Sequence, residues 1–376
     1  MRIGYEAKRA FKNVTGLGNY ARTTVQIIAQ QFPSHQVFLY TPVVVKNNRT
    51  QILFNISNIF IKTAPIKLLR TYWRSKGVIK DLVQDKIDLY HGLSHEIPSG
   101  LKKKGIKSVV TIHDLIFLRF PNYFKSIDRK IYDYKFRRAC KNADSIIAIS
   151  EQTKRDIIQF FGINEDKITV VYQGCDPIFY QQISHAKLIE VKTKFNLPNE
   201  FLLCVGTIEN RKNQILILKT LPNLPENIHL VLVGKPTEYC EILNNFIDLH
   251  QLQNRVHFLH DVNFDDLPAI YQSAKIFIYP SKFEGFGIPI LEALNSGVPV
   301  IAAKGSCLEE AGGPDSLYIE QDNAPQLLET INRIFADKDL AAKMSLNGKR
   351  FALNFREEKI ASNLMAVYQK TLKITE

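Results

Sequence analysis

Short runs rich in β-branched residues alternate with longer amphipathic runs along the whole chain, and this alternation constrains the fold more than any other feature. The short runs lie at residues 2–5, 36–40, 89–91, 108–112 and 145–149, and again at 201–206, 229–234, 256–259, 276–279 and 300–303. The pattern predicts an α/β protein with two doubly wound, Rossmann-like domains facing each other across a cleft. Ligands are expected at the carboxyl ends of the strands.

The length of 376 residues exceeds one ordinary core and suits two domains of similar size. Glycine and proline follow a strand-like run within residues 170–177, which predicts a hinge containing Gly174 and Asp176. We therefore expect an N-terminal domain over residues 1–172 and a C-terminal domain over residues 173–356.

Several protein classes are disfavoured. The first residues lead directly into a strand-like run, so no signal peptide is expected, and no apolar run approaches the roughly 20 residues that span a bilayer. The cysteines stand far apart without metal-type spacing: Cys140, Cys175, Cys204, Cys240 and Cys307. This spacing predicts reduced thiols in a cytoplasmic protein, rather than a zinc site or a disulfide framework.

Charge is distributed unevenly. The net charge is +12, but residues 1–172 hold 29 Lys and Arg against 13 Asp and Glu, whereas the remainder holds 20 against 24. The excess gathers at residues 67–80, 102–104 and 125–141, with aromatic residues such as Trp73 interleaved or nearby. On charge alone, this half is compatible with nucleic acid or with an anionic membrane surface.

The first candidate motif is Thr15-Gly16-Leu17-Gly18, which follows the opening strand and precedes a helix predicted over residues 21–30. Glycines admit close backbone approach, and free N–H groups at a helix start attract an anion. The spacing matches neither a dinucleotide fingerprint nor a P-loop. Taken alone, the motif favours a plain loop-to-helix turn over a phosphate site.

The second motif runs from Gly206 to Asn213 and contains Thr207 and the pair Arg211-Lys212. The arginine guanidinium can bind a phosphate through two N–H groups and the lysine ammonium is a compact charge, so together they can neutralise a diphosphate. A basic pair at a helix start opposes the helix dipole, which favours an anionic ligand there over a solvated pair.

The third motif is the most specific. Residues 279–289 follow a strand and precede a helix predicted over 290–296, with Pro289 at a first helical position and Glu292 in the opening turn. Glu284 lies in the preceding glycine loop. Two carboxylates flanking exposed backbone N–H groups can hold polyol hydroxyls and a phosphate together. In the alternative interpretation, Glu292 binds no ligand and is only a favourable charge near a helix start.

The ordered motifs resemble those of the retaining nucleotide-sugar glycosyltransferases of group one (family four), which have the GT-B fold. The resemblance covers nearly the whole chain. Its main stretches are residues 206–213, 284–292 and 297–300, accompanied by 15–18, 111–114, 143–150 and 172–176.

The resemblance implies a role for each residue. Glu284 would contact the donor sugar hydroxyls, and Glu292 the ribose hydroxyls. Arg211 and Lys212 would hold the diphosphate and stabilise it as it leaves. His113 would face the donor sugar or the acceptor. The remaining donor-binding positions are Gly16, Gly18, Thr207, Gly285, Phe286, Gly287 and Ile288, several of them through backbone N–H groups.

Three positions depart from the family pattern, one of them Glu309, which stands where proline is common. Thr207 stands where many relatives carry a second diphosphate-binding arginine, and His260 replaces a usual glycine. In this family basic residues supply the positive charge that a metal would otherwise provide, so no cofactor is expected. The neighbouring carboxylates Asp265 and Asp266 could bind a metal, but we interpret the pair as a helix cap. The resemblance also implies that residues 1–172 bind the acceptor, that residues 173–356 bind the donor, and that residues 357–376 form a helix crossing back onto the N-terminal domain.

The expected activity is transfer of a sugar, with retention of configuration, from a nucleotide-diphosphate sugar to a hydroxyl of a glycan or lipid-linked acceptor. GDP-mannose or a UDP-sugar is the expected donor. The setting would be cell-surface polysaccharide or glycolipid synthesis by a cytoplasmic enzyme, peripheral at the inner membrane face. The alternatives are a sugar phosphorylase, a sugar-nucleotide epimerase and, remotely, a nucleic-acid-binding module, although no nucleic-acid partner is expected.

Overall fold

A computed structural model of the protein describes residues 1–13 and 15–374. The chain divides into two compact units. Unit 1 comprises Met1–Gln173 together with the segment that begins at Glu357, and unit 2 comprises Gly174–Arg356.

The described strands of unit 1 form one parallel sheet. They are β1 (Arg2–Glu6), β2 (Gln36–Thr41), β3 (Ile59–Thr63), β4 (Leu89–Gly92), β5 (Lys107–Ile112), β6 (Ser145–Ala148) and β7 (Ile168–Val170). Their spatial order is β3-β2-β1-β4-β5-β6-β7. The helices between them are α1 (Lys8–Lys12), α2 (Gly16–Gln31), α3 (Ile52–Asn55), α4 (Arg70–Tyr72), α5 (Val78–Gln84), α6 (Ile116–Arg119), α7 (Ser126–Asn142) and α8 (Glu151–Phe161).

Unit 2 repeats the same plan. Its described strands are β8 (Glu200–Val205), β9 (Ile228–Val233), β10 (Val256–Leu259), β11 (Ile276–Tyr279), β12 (Val300–Ala303) and β13 (Leu317–Ile319). They pair in the parallel order β10-β9-β8-β11-β12-β13. The helices are α9 (His185–Lys194), α10 (Ile215–Leu218), α11 (Tyr239–Leu249), α12 (Leu267–Ser273), α13 (Ile288–Asn295), α14 (Leu308–Gly312), α15 (Ala324–Ala336) and α16 (Lys338–Ala352).

The last helix, α17 (Glu357–Leu372), belongs to unit 1. Its apolar side, which includes Leu364 and Tyr368, is buried in the same core as α2. The Tyr368 hydroxyl lies 2.7 Å from Nδ1 of His91 and 3.2 Å from the Tyr5 hydroxyl. These buried contacts join α17 to β1 and β4.

In each sheet the strand order reverses once, between β1 and β4 in unit 1 and between β8 and β11 in unit 2. At such a switch point the connections leave towards opposite faces, and a crevice opens at the carboxyl ends of the two strands. Each unit therefore has a defined place for a ligand.

All ten predicted strands are present, which confirms the predicted α/β fold class. The helix boundaries needed correction. Helix α2 begins at Gly16, before the predicted start, and α13 begins at Ile288, so Pro289 is its second residue and Glu292 lies beyond its first turn.

The predicted cap at Asp265-Asp266 is wrong. Neither carboxylate caps the turn or helix that follows it. Instead, the buried Asp266 carboxylate forms ion pairs with Lys187 at 2.9 Å and with Lys194 at 2.7 Å. It therefore ties the start of α12 to α9.

Candidate active site

The second and third motifs meet at the switch point of unit 2. One follows β8 and the other follows β11, which are neighbouring parallel strands. The Arg211 carbonyl accepts hydrogen bonds from the Lys282 amide at 2.8 Å and from the Ser281 hydroxyl at 3.2 Å. The two loops are therefore fixed to each other through their backbones.

The site centres on one carboxylate oxygen, Oε1 of Glu284. It accepts hydrogen bonds from Ser281 Oγ at 2.5 Å, Lys212 Nζ at 2.6 Å and the Tyr279 hydroxyl at 3.3 Å. Nη1 of Arg211 lies 2.8 Å from the same oxygen. Among the described residues none donates to Oε2, so the second oxygen is available to a ligand hydroxyl.

The charge state of Glu284 follows from these contacts. Burial raises its pKa, but Lys212 and Arg211 outweigh burial and lower the pKa to about 2. For Arg211, burial lowers the pKa, and Glu284 and Glu209 together raise it well above the ordinary value. Glu284 and Arg211 are therefore both charged at neutral pH, and Glu284 is a poor general acid or base there.

Arg211 and Lys212 are held rigidly. Arg211 donates to the Phe283 carbonyl at 2.7 Å and to Glu209 at 2.5 Å, and Lys212 donates to the Tyr279 hydroxyl at 2.6 Å. Their side chains are only 19% and 11% exposed. Preorganised, poorly hydrated cations interact strongly with an incoming anion.

The basic pair does not oppose a helix dipole, contrary to the prediction from the sequence. Arg211 and Lys212 lie in the last turn of the short 3-10 helix Asn210–Lys212, where basic residues are favourable. Their counter-charge within the protein is Glu284, together with Glu209.

Glu292 lies in a different environment. Its Oε2 accepts a hydrogen bond from the Tyr271 hydroxyl at 2.7 Å, and none of the described lysines or arginines pairs with it. Burial raises its pKa, Tyr271 opposes that effect, Asp176 adds to it, and the result is about 7. The two acids of the motif therefore differ in charge state because only one has cationic partners.

The glycine loop between them is supported from α14. Cys307 Sγ donates to the carbonyls of Glu284 at 3.1 Å and Phe286 at 3.3 Å. A Cβ at Gly287 would lie 2.8 Å from the Ala311 side chain, so this glycine permits close packing. The Phe286 ring is buried against Phe355, which leaves only its backbone for a ligand.

The other predicted donor-binding residues of unit 2 lie around this loop. Gly285 and Ile288 are partly buried members of the same segment. Thr207 follows Gly206, which has a φ of +145°, and the Thr207 carbonyl accepts a hydrogen bond from Gln214 at 3.1 Å. His260 is directed to the Gly234 carbonyl at 2.9 Å.

In unit 1, the two predicted glycines differ. A Cβ at Gly16 would meet no atom within 4 Å, whereas a Cβ at Gly18 would lie 1.8 Å from the Asn13 carbonyl oxygen. Gly18 is therefore required by the packing of the loop onto α2. Gly16 is exposed at the helix start, where its backbone is open to a ligand.

His113 follows β5 and is buried. Its Nε2 lies 2.8 Å from the Leu93 carbonyl, and its Nδ1 lies 3.2 Å from Nε2 of Gln173. Because a carbonyl only accepts, Nε2 carries the proton and Nδ1 accepts. Burial lowers the pKa to about 4, so the ring is neutral with both nitrogens occupied. Its predicted role at the donor sugar or the acceptor stays a prediction.

The predicted hinge residues lie at the start of unit 2. The Asp176 carboxylate caps the short helix Pro177–Tyr180 by accepting from the Ile178 amide at 3.0 Å. Gly174 does not adopt a left-handed backbone conformation. The charge of Asp176 contributes to the raised pKa of Glu292, which links this segment to the candidate site.

Four side chains of the site were missed in the sequence: Tyr271, Tyr279, Ser281 and Cys307. Tyr279 and Ser281 lie inside the third motif, at the last residue of β11 and just beyond it, and this position at the carboxyl end of a strand was a usable signal. Tyr271 and Cys307 reach the site from α12 and from the residue before α14, and nothing in the local sequence marks them.

Comparison with known proteins gives matches in both units. The family model described as Glycosyl transferases group 1 matches residues 186–351, and the model of Glycosyltransferase Family 4 matches residues 14–178. The chain belongs to the group 1 glycosyltransferases.

Individual relatives agree with this family. The chain is 26% identical to the O-antigen chain mannosyltransferase B of Escherichia coli over 75% of this chain and 74% of that protein. It is 27% identical to the O-antigen chain mannosyltransferase RfbU of Salmonella typhimurium over 60% of each. Its fold matches the crystal structure of Anabaena Alr3699/HepE in complex with UDP-glucose, with a TM-score of 0.76, 19% identity, and coverage of 98% of this chain and 100% of that one. The GT-B fold is thereby confirmed.

The described part of this glycosyltransferase contains neither a metal-binding cluster nor a membrane-spanning helix. No cluster of three or more His, Cys, Asp or Glu suited to a metal ion occurs in the described ranges. Within the same ranges, no helix combines the length and the apolar character that a membrane crossing requires.

Proposed function

We propose that the enzyme transfers a sugar from a nucleotide-diphosphate sugar to a hydroxyl of a glycan or lipid-linked acceptor, with retention of the anomeric configuration. The observation that carries this proposal is the pair of immobilised cations, Arg211 and Lys212, sharing one oxygen of Glu284 at the switch point of unit 2. An anionic group and a polyol can be bound side by side in such an arrangement.

Arg211 and Lys212 act on the diphosphate. During transfer the bond between the anomeric carbon and the phosphate oxygen breaks, and negative charge develops on the departing diphosphate. The acceptor oxygen bonds to the anomeric carbon, and its proton passes to the departing diphosphate. Cations that are already fixed stabilise this charge without reorganisation. No metal takes part in this proposal, because the two side chains supply the positive charge.

Glu284 positions the donor sugar. Its Oε1 is occupied by protein donors, whereas Oε2 is available to sugar hydroxyls. With a pKa of about 2, Glu284 cannot usefully accept the acceptor proton at neutral pH. Its contribution is therefore orientation and electrostatic stabilisation of the reacting sugar.

Glu292 binds the ribose hydroxyls of the nucleotide. Tyr271 holds its Oε2, which leaves Oε1 as the acceptor for those hydroxyls. The relatives named mannosyltransferases favour GDP-mannose, and the match to a structure containing UDP-glucose keeps a UDP-sugar as the other candidate.

The proposed acceptor is an intermediate of cell-surface polysaccharide or glycolipid synthesis. The names of the relatives refer to O-antigen chains. Residues 1–172 carry the positive charge excess, which suits work at the anionic inner face of a membrane.

The test is thermal unfolding of the full chain with GDP-mannose, UDP-glucose, GDP, UDP and the free nucleosides. Binding to the folded state raises the Tm by mass action, so the correct donor and its nucleoside diphosphate should stabilise far more than the nucleoside. Lys212→Ala should remove the difference between diphosphate and nucleoside. Lys275→Ala, which alters an exposed ion pair with Glu200, should leave it unchanged.

Failure of every nucleotide to stabilise folded protein would contradict the proposal. Formation of a sugar phosphate from a glycan and inorganic phosphate, without any nucleotide sugar, would instead identify a phosphorylase.

A further inference from the structure

A second crevice lies in unit 1, and none of the residues assigned to the donor lines it. A cavity of about 380 Å³ opens in unit 1 and is lined by residues at the carboxyl end of β1 and beyond β4, the strands that flank the switch point of that sheet. Glu6 lies at the end of β1, and Glu96 to Ser99 follow β4. The remaining wall comes from Tyr90 of β4, from Arg74 and Ser75, and from α7. A ligand is therefore expected here on topological grounds.

Positive charge predominates in this cavity. Its lining contains Arg74, Lys130, Lys135 and Arg138, against the carboxylates Glu6 and Glu96. The Glu96 carboxylate joins two walls by pairing with Arg74 at 3.2 Å and with Lys135 at 3.0 Å. An anionic ligand would offset the positive charge that these two carboxylates leave unbalanced.

Two exposed apolar segments adjoin the cavity lining along the chain, and together we call them the rim. They are residues 66–72, which end just before the lining residues Arg74 and Ser75, and residues 123–134, which include the lining residues Lys130, Ile131 and Tyr134. In the described chain, 18 large hydrophobic side chains are exposed, and half of them lie in the rim. They are Ile66, Leu68, Leu69, Tyr72, Tyr123, Ile127, Ile131, Tyr132 and Tyr134. Leu68 is 95% exposed and Ile127 73% exposed. Concentrated apolar exposure of this kind marks a binding surface.

Basic residues are interleaved with these apolar ones. Lys67 and Arg70 lie in the first segment, which has no acidic residue, and Lys125, Arg129 and Lys130 lie in the second beside two aspartates. Aliphatic and aromatic side chains alternating with Lys and Arg match the interface of an anionic bilayer, where apolar groups enter the headgroup boundary and cations meet lipid phosphates. Exposed leucine and isoleucine offer nothing to a nucleic acid, which stacks bases on aromatic rings.

We propose that the rim docks on an anionic phospholipid bilayer, and that the cavity between its two segments receives the phosphate-bearing head group of an acceptor anchored in that bilayer. This inference rests on the proposed function for the identity of the bound group as an acceptor. The charge of the cavity and the apolar rim then serve one purpose, because a lipid-linked acceptor carries its phosphate at the headgroup boundary, which exposed apolar side chains enter.

Vesicle flotation of the full chain tests the docking surface. Binding to vesicles of phosphatidylcholine with phosphatidylglycerol is expected, with little binding to phosphatidylcholine alone and weaker binding in 1 M salt. Leu68→Ser combined with Ile127→Ser should weaken partitioning by about tenfold or more. Leu249→Ser is the matched control, because Leu249 is 77% exposed in unit 2 and lies outside the rim.

The single tryptophan provides a local readout. Trp73 directly follows the first rim segment and is the only tryptophan in the chain. Vesicles containing brominated lipid should quench its fluorescence in the wild-type protein and in Leu249→Ser, and should quench it much less in the rim variant. Binding without quenching would mean that another surface contacts the lipid, and would overturn the inference.

The cavity is tested by the form of the phosphate. At equal vesicle surface charge, phosphatidic acid exposes a phosphate monoester and should bind the protein several-fold more tightly than phosphatidylglycerol. Lys130→Gln with Arg138→Gln should remove this preference. Equal binding of both lipids by the wild-type protein would overturn the assignment of the cavity.

Two other results would also overturn the inference. Unchanged flotation of the rim variant would show that charge alone mediates attachment, and self-association in solution that the rim variant abolishes would make a second copy the partner. Nucleotide binding, measured separately, distinguishes this inference from the proposed function. Vesicle docking without any nucleotide response would refute only the proposed function, and a nucleotide response without docking would refute only the inference.

Discussion

Glu284 and Glu292 are separated by a short glycine loop and a helix start, yet their surroundings shift their pKa values in opposite directions. Glu284 has two cationic partners and a pKa of about 2, whereas Glu292 has a tyrosine hydroxyl and a pKa of about 7. At the residue scale, one acid is a fixed negative charge and the other changes protonation near neutral pH. Substitution of each should therefore give a different result.

Glu284→Gln should lower kcat by at least about a hundredfold and the free energy of unfolding by about 3 kcal/mol, because Arg211 and Lys212 lose their shared counter-charge. A nucleoside diphosphate brings negative charge back to these cations. It should therefore raise the Tm of the variant more than that of the wild type. Differential scanning fluorimetry and turnover assays measure both effects, with Glu329→Gln as an exposed control. An equal or smaller ligand-induced rise in the variant would contradict direct pairing of the diphosphate with these cations.

Glu292 should make stability depend on pH in a defined window. The unfolded chain loses this proton near the ordinary pKa of 4.5, whereas the folded protein holds it to about pH 7. Stability therefore falls as pH rises through this window, by at most about 3 kcal/mol, and the loss is complete above it. Glu292→Gln should lack this fall and be more stable than the wild type at pH 8.

The same substitution should weaken nucleotide binding, because the ionised carboxylate is the better acceptor for ribose hydroxyls. Nucleotide affinity of the wild type should rise between pH 6 and pH 8, and that of Glu292→Gln should stay flat. Denaturant unfolding and calorimetric titration across this range measure the two effects. A variant with the pH profile of the wild type would show that another group titrates.

At the element scale, the sequence pattern located the central strands, missed the edge strands β3 and β13, and marked the edge strand β7 only as the strand-like run before the hinge. A central parallel strand is buried on both faces and reads as a continuous apolar run, whereas β7 and β13 have only three residues each and are partly exposed. The site loops were predictable because they follow central strands. The contribution of Cys307 was not, because its hydrogen bonds to the glycine loop depend on tertiary packing.

Of the two glycines at the start of α2, Gly18 is required by packing, whereas Gly16 is free to contact a ligand. Gly18→Ala should destabilise the protein by about 1–3 kcal/mol, since its Cβ would overlap the Asn13 carbonyl. Gly16→Ala should leave stability unchanged or slightly higher, because the added methyl meets nothing and alanine favours the helix. Chemical denaturation compares the two variants. If Gly16→Ala weakens nucleotide binding without loss of stability, Gly16 serves the ligand; equal destabilisation by both would contradict the packing argument.

At the scale of the whole molecule, the two units do not simply follow each other along the chain, because unit 1 contains residues from before and after unit 2. Helix α17 completes the core of unit 1, although it follows unit 2 in the chain. The contact is chemically specific, since the Tyr368 hydroxyl meets His91 and Tyr5 in a buried setting. Unit 2, by contrast, is one continuous stretch with its own core.

This difference predicts unequal independence of the two units. Residues 174–356 alone should fold and unfold cooperatively, whereas residues 1–173 alone should expose the apolar groove that α17 covers and should bind a hydrophobic dye. Adding residues 357–376 as a separate peptide should restore a cooperative transition, and the same peptide with Tyr368→Phe should restore it less well, because His91 and Tyr5 lose a buried partner. Circular dichroism and dye fluorescence measure the outcome. A stable, cooperative fold of residues 1–173 without the peptide would show that α17 is an attachment rather than part of the core.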